Sequence, residues 1–205
     1  AEEIIYALGR QPALEGLSLA DAEVPVSRSG IVANAHQQCG PAHLFTAGDV
    51  CGPYEVVHIA IQQAEVAARN AARVLGRLDG PLEFIDYRLN LFAVFTQPQV
   101  AAVGLTERDA ERQGCAFRSA KYAFADHGKA LVRGEPDGFV KLIAERETGR
   151  ILGASCVGPE ASELIHEIVV AMHFGATARD LAGIPHYHPT LSEIWTYPAE
   201  ELAEV

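Results

Sequence analysis

Basic charge is scarce in this chain: 16 Lys and Arg stand against 27 Asp and Glu, the net charge is −11, and no Lys/Arg-rich run occurs. That argues against a nucleic-acid strand or an anionic membrane surface as the main partner. No apolar run approaches the ~20 residues of a membrane span. The opening Ala1-Glu2-Glu3 also lacks the basic-then-apolar order of a signal peptide. The expectation is a cytoplasmic protein without a membrane partner. Only four cysteines are present, Cys39, Cys51, Cys115 and Cys156, with no Cys-x-x-Cys among them. Neither a zinc knuckle nor a local redox disulfide is written here, and buried free thiols are expected. Gly-x-Gly-x-x-Gly, Walker and Gly-x-Ser-x-Gly loops are missing, as are repeats and low-complexity segments.

What is present suits a folded α+β protein: 49% of residues are hydrophobic and 21% charged, enough to bury a core. Ile4-Ile5-Tyr6-Ala7-Leu8 reads as a buried strand entering a turn at Gly9-Arg10-Gln11-Pro12, and a chain that begins one strand into a core reads as incomplete. Short meander strands are expected at Val24-Pro25-Val26 and Gly30 to Asn34. An apolar strand, His43 to Val50, ends in Gly48-Asp49. Tyr54 to Leu75 has the spacing of a long helix with Val57, Ala60, Ile61, Ala64, Ala67, Ala68, Ala71, Val74 and Leu75 on its packed face. Its N-terminus, with His58 near the start, would face the Gly48-Asp49 strand end and make an anion-friendly pocket. A turn and an unliganded helix-start histidine explain the same residues equally well.

Leu78-Asp79-Gly80-Pro81 marks a composition shift, and the domain boundary is expected near residue 88. Beyond it, strand pieces at Leu91 to Phe95 and Val100 to Gly104 precede a capped surface helix, Thr106 to Arg112, and a strand from Phe117 to Phe124. Asp126 to Lys129 and Gly134 to Gly138 read as mobile loop. Phe139 to Glu145 and Arg150 to Val157 form a hairpin around Glu147-Thr148-Gly149. A helix from Glu160 to Phe174 carries Ala161, Leu164, Ile165, Ile168, Val169 and Met172 in one stripe, and Arg179 to Ala182 makes a further helical turn.

Chemistry is most concentrated in His186-Tyr187-His188-Pro189-Thr190-Leu191-Ser192-Glu193. Proline pushes His188 onto extended backbone, so its ring projects from a stiff corner. Thr190 and Glu193 stand in capping-box relation, which predicts a helix starting at Thr190. Glu193 then has two compatible roles: a helix cap, or the carboxylate that fixes the tautomer of an acid/base imidazole on His188. A His-x-His pair can also chelate, so His186 and His188, with His173, form a minor metal hypothesis set against an expectation of no metal.

Taken together these motifs resemble the C-terminal part of the pyridine-nucleotide disulfide oxidoreductases, the FAD-containing family of dihydrolipoamide dehydrogenase and glutathione reductase, along nearly the whole chain. Ala7-Leu8-Gly9-Arg10-Gln11-Pro12 looks like the exit from the nicotinamide domain. Leu44 to Val50 is similar to the second FAD motif. Phe95 to Thr106 matches the opening of the interface domain, and His188-Pro189-Thr190-Leu191-Ser192-Glu193 is the most specific match. The resemblance implies an end of the NAD(P) domain and the distal part of an FAD-binding α/β domain at 1–88. It implies an interface domain of antiparallel sheet with packed helices at 89–205.

It further implies Asp49 on the ribityl chain, with Gly48, His58 and Ala60 also at FAD, and NAD or NADP as the second cofactor. His188 and Glu193 become the dyad that crosses a homodimer interface to the partner's redox disulfide. The partner molecule becomes a small dithiol or disulfide, free or carried as a lipoyl group on a protein. The family's FAD glycine motif and Cys-x4-Cys pair are missing here, and none of the four cysteines replaces them. Two alternatives follow: a parent of the mercuric reductase kind, or a dimerisation module that is silent when isolated.

Overall fold

The computed structural model describes residues 1–204, and Val205, the end of the second predicted domain, lies outside them. It consists of two compact units, Ala1–Asp86 and Tyr87–Val205. The first is poor in regular structure. Strands β1 (Val26–Ser27) and β2 (Gly30–Ile31) form a minimal antiparallel hairpin, and helix α1 spans Val57–Val74. A small core gathers Val24, Ile31 and Cys39 with Leu14, Leu19 and Leu44.

Three expectations for this unit are corrected. Ile4, Ile5, Tyr6 and Leu8 form no strand and stand open to solvent, because no neighbouring strand among the described residues pairs with their backbone. His43 to Val50 contributes a single bridge, Phe45 to Gln38, in place of a strand. The helix begins at Val57 and its buried face is only partly the expected one: Ala67 is buried as expected, but with Ile59, Gln63, Val66 and Asn70, whereas Val57 and Leu75 are 76% and 73% exposed. Hydrogen bonding explains the difference. Asn70 donates to the carbonyls of His36 (3.0 Å) and Glu83 (2.7 Å) and accepts from the Glu83 N–H (2.8 Å), so the inward face serves loop backbone that apolar side chains would leave unpaired.

The second unit follows its sequence closely. Strands β3 (Leu91–Val94), β4 (Gln99–Gly104), β5 (Phe117–Ala123), β6 (Phe139–Glu145) and β7 (Ile151–Gly158) form one antiparallel sheet in the order β3-β4-β7-β6-β5. Helix α2 (Glu107–Arg112) starts from a capping box between Thr106 and Asp109. Helix α4 (Ala161–His173) lays Leu164, Ile165, Ile168 and Met172 against β4 and β7. A second capping box, Thr177 with Asp180, starts helix α5 (Ala178–Gly183), which packs on helix α6 (Thr196–Ala203) beside β5. Arg118 and Arg179 donate to the carbonyls of Glu201, Leu202 and Ala203, placing cations where the dipole of α6 is negative. Cys156, on β7, is fully buried, and burial pushes its thiol up to about 12.

Two further corrections matter for function. The segment read as mobile loop is a 3-10 turn, Phe124–Asp126, running into helix α3 (Gly128–Arg133), with the joining residue His127 fully buried. Thr190 starts no helix. Its hydroxyl meets that of Ser192 at 3.0 Å, the 3-10 turn Ser192–Trp195 comes next, and α6 begins at Thr196.

Candidate functional site

The His-Pro corner follows α5, and its His188–Pro189 peptide is cis. What anchors it is the turn behind it. Ile194 and Trp195 are fully buried, and the Trp195 indole N–H donates to the Leu164 carbonyl at 3.0 Å. That turn carries Glu193 inward, leaving its side chain 10% exposed, while the His188 ring stays 79% exposed. The two meet: His188 Nδ1 lies 2.9 Å from Glu193 Oε2. A carboxylate only accepts, so Nδ1–H donates and the exposed ring keeps Nε2 as its free acceptor in the neutral form. Holding a partner for His188 displaces the capping role expected of Glu193.

The other Glu193 oxygen, Oε1, faces His127 Nε2 at 3.6 Å. Sequence reading missed His127, because only tertiary packing brings α3 to this turn. Burial lowers the His127 pKa from its ordinary 6.5, with Glu193 pulling it up and His188 pushing it down. The unfolded chain therefore binds more protons in the window from 6.5 down to that lower folded value. This group's contribution makes stability fall as pH falls through the window. Urea midpoints across it are expected to show that slope, and His127→Phe to flatten it.

His186 does not join His188 around a shared ligand. Its Nε2 contacts Glu167 Oε1 at 2.6 Å and its Nδ1 the Ile184 carbonyl at 2.9 Å, while His173 packs edge-on to Phe174. Among the described residues, no group of three or more His, Cys, Asp or Glu is placed to hold a metal ion.

In the first unit the loop before α1 sets Gly48 against Ala60. Gly48 has φ +83°, a conformation that favours glycine, and a Cβ built there would lie 3.5 Å from the Ala60 methyl. Its N–H donates to Gln63 Oε1 at 2.7 Å, and Gln63 Nε2 donates to the Gly52 carbonyl at 2.7 Å. One buried amide thus staples both ends of the loop. Gln63→Leu leaves both backbone groups unpaired, and a loss of about 1–3 kcal/mol is expected in urea unfolding. An unchanged midpoint would show that the staple is dispensable. Asp49 is 55% exposed with Arg10 Nη2 at 3.9 Å, and Arg10 is held more tightly by Glu55 at 2.9 Å. Among the described residues His58 Nε2 is buried without a hydrogen-bond partner, and no side chain caps the first turn of α1. A half-exposed carboxylate, a ring nitrogen left without such a partner and uncapped N–H groups suit a ligand rich in hydroxyl and phosphate groups.

Residues 92–199 match the dimerisation domain of the pyridine nucleotide-disulphide oxidoreductases. Dihydrolipoyl dehydrogenase 3 of Haloarcula marismortui is 37% identical over 205 residues, all of this chain and 42% of that protein. The dihydrolipoyl dehydrogenase of Thermus scotoductus is 38% identical over 202 residues, covering 98% of this chain and 42% of the relative. Among solved structures, LpdA from Mycobacterium tuberculosis aligns with a TM-score of 0.81 at 28% identity, over 94% of this chain and 41% of that one. The HOCl-induced flavoprotein disulfide reductase RclA from Escherichia coli aligns at 0.80 and 26%, over 95% and 44%. This chain spans about two fifths of the length of these relatives. With the domain match taking in more than half of the residues and the relatives aligned along nearly all of them, the chain belongs to the pyridine nucleotide-disulphide oxidoreductase family.

Proposed function

We propose that this chain is the C-terminal part of a homodimeric FAD-dependent oxidoreductase. The enzyme would pass electrons between NAD or NADP and a dithiol of the lipoamide kind, with His188 and Glu193 as its acid/base pair. Residues 1–88 are then the end of the NAD(P) domain and the distal part of the FAD domain, and 89–205 the interface domain. The observation that carries the reading is the asymmetry of the pair: a buried carboxylate 2.9 Å from an imidazole whose other nitrogen is exposed.

The chemistry follows from that asymmetry. A thiolate, not a thiol, attacks a disulfide. His188 Nε2 accepts the proton of the incoming dithiol, the freed thiolate attacks a sulfur of the redox disulfide, and the other sulfur leaves with the bond's electron pair. The imidazolium lies against the Glu193 carboxylate, which stabilises it and holds the ring's orientation, and it returns the proton when the reaction runs backwards. On the cofactor side, Asp49 would accept hydrogen bonds from the hydroxyls of FAD, Gly48 and Ala60 would leave its approach free of side-chain bulk, and His58 and the open start of α1 would supply polar contacts. Bound FAD supplies the two-electron carrier between nicotinamide and disulfide.

The test is dithiol turnover by the full-length protein carrying His188→Gln or Glu193→Gln. Both are expected to be slowed, the histidine variant more, because Glu193 acts only through the ring. Turnover within a few-fold of wild type for both would remove the acid/base role.

A further inference from the structure

We infer that His127 is a positioning residue for this pair: a neutral imidazole, sealed from water, that presents Nε2–H to the Glu193 oxygen that His188 does not use. The inference rests on the acid/base reading of His188 and Glu193 and extends it one residue deeper.

Glu193 is only 8% exposed, so little water reaches its carboxylate and the protein groups facing each oxygen matter. Oε2 is taken by His188, and Oε1 has His127 Nε2 at 3.6 Å. That separation is a charge–dipole contact, and a small movement closes it to a hydrogen bond. His127 itself is fully buried, and among the described residues neither of its ring nitrogens has a hydrogen-bond partner. A core position with no polar task would be filled better by leucine or phenylalanine, so two orphaned nitrogens beside a buried carboxylate call for an explanation.

The walls around the ring define the state it holds. Phe124 meets it edge-on at 6.3 Å and Tyr197 at 6.2 Å, and Tyr197 stacks on Tyr122 at 4.0 Å. The titratable groups facing it are Glu193 and His188 from the corner and Tyr197 from α6. Tyr122, from β5, comes next through the stack, with its hydroxyl donating to the Asp126 carbonyl at 3.0 Å. In this apolar setting burial keeps His127 neutral, as the direction of its shift shows. A neutral ring carries one N–H. Placed on Nε2, it points its positive end at Oε1 and favours the ionised carboxylate. A second full positive charge on His127 would instead oppose the imidazolium that His188 forms in each cycle.

Without that donor the charge on Oε1 loses the dipole that faces it, and Glu193 holds and orients the His188 imidazolium less firmly. Proton transfer at His188 then slows while dithiol binding is kept. Groups standing behind a functional ligand typically contribute about 10- to 100-fold, as the analogous partners of metal-bound histidines do.

The experiment compares His127→Phe, which keeps an aromatic ring and removes the donor, with His127→Asn, which keeps a donor, in the full-length holoenzyme with dihydrolipoamide. Dithiol turnover is followed from pH 5 to 9, with His188→Gln in parallel. Expected for His127→Phe are a kcat lower by about 10- to 100-fold and a dithiol KM within about twofold; His127→Asn keeps most of the rate. A His127→Phe protein with wild-type kcat overturns the inference. So does a His127→Asn protein slowed tenfold, which would make the ring a packing element; this outcome decides the matter even if His127→Phe does not fold. If His188→Gln is itself harmless, the acid/base reading fails first. If His188→Gln is slow and His127→Phe is not, only the role of His127 falls.

Discussion

Replacing His188 by glutamine in the full-length protein is expected to slow dithiol turnover by about 10²- to 10⁴-fold, the range an acid/base group contributes. Glutamine has comparable reach, and its amide can still donate to Glu193. What it cannot do is take a proton from the dithiol and hold it as a cation. The loss therefore belongs in the steps that need a thiolate. Passage of electrons from NADH or NADPH to a one-electron dye, which draws on reduced flavin and needs no dithiol proton, should stay within a few-fold of wild type. Stability should barely change, because a side chain that is 79% exposed contributes little packing. If dithiol and dye activities fall together, the substitution has damaged cofactor binding or folding, and the assignment to proton transfer fails. If neither falls, His188 has no acid/base role.

The corner was legible in the sequence because its parts are local. His188 and Glu193 lie five positions apart, and Pro189 restricts the backbone between them. The capping signal misled at that same place. Thr106 with Asp109 and Thr177 with Asp180 are real capping boxes, with the carboxylate turned back to the cap. Thr190 with Glu193 has the same spacing, but Glu193 is drawn inward to two histidines. A short-range rule yields when a side chain has a stronger partner elsewhere. His127 was illegible for the complementary reason: nothing within its own segment, Asp126-His127-Gly128-Lys129, announces a core position, and only α3 packing toward the turn makes it one. Helix α1 failed in a third way. Its valine and alanine stripe was read as the packed face, yet Gln63 and Asn70 turn inward along with Ala67, because the loops they serve require donors and acceptors. Apart from α3 and the start of α6, the strands and helices of the second unit were legible, since each is specified by alternation, a capping box or a helical stripe that packing then respects.

The largest stability effect is expected at Trp195. It is the sequence's single tryptophan and is fully buried, and it fastens the 3-10 turn to α4 through its bond to the Leu164 carbonyl. Trp195→Ala removes that bond and empties the space of the ring, and such substitutions cost about 3–5 kcal/mol. Against the roughly 5–15 kcal/mol that holds a typical domain together, this is a large fraction. Trp195→Phe keeps most of the volume and loses the N–H donor, leaving the Leu164 carbonyl unpaired, so a smaller loss of about 1–3 kcal/mol is expected. Urea unfolding followed by circular dichroism measures both without relying on the indole signal. Because Glu193 sits on the same turn, the alanine variant should also lose dithiol turnover well below its unfolding temperature, while the phenylalanine variant retains it. A Trp195→Ala protein less than about 1 kcal/mol weaker than wild type would mean that the surrounding core collapses to fill the cavity. The site would then be anchored by Ile194 and Leu191 instead, and those two positions would become the ones whose truncation moves Glu193.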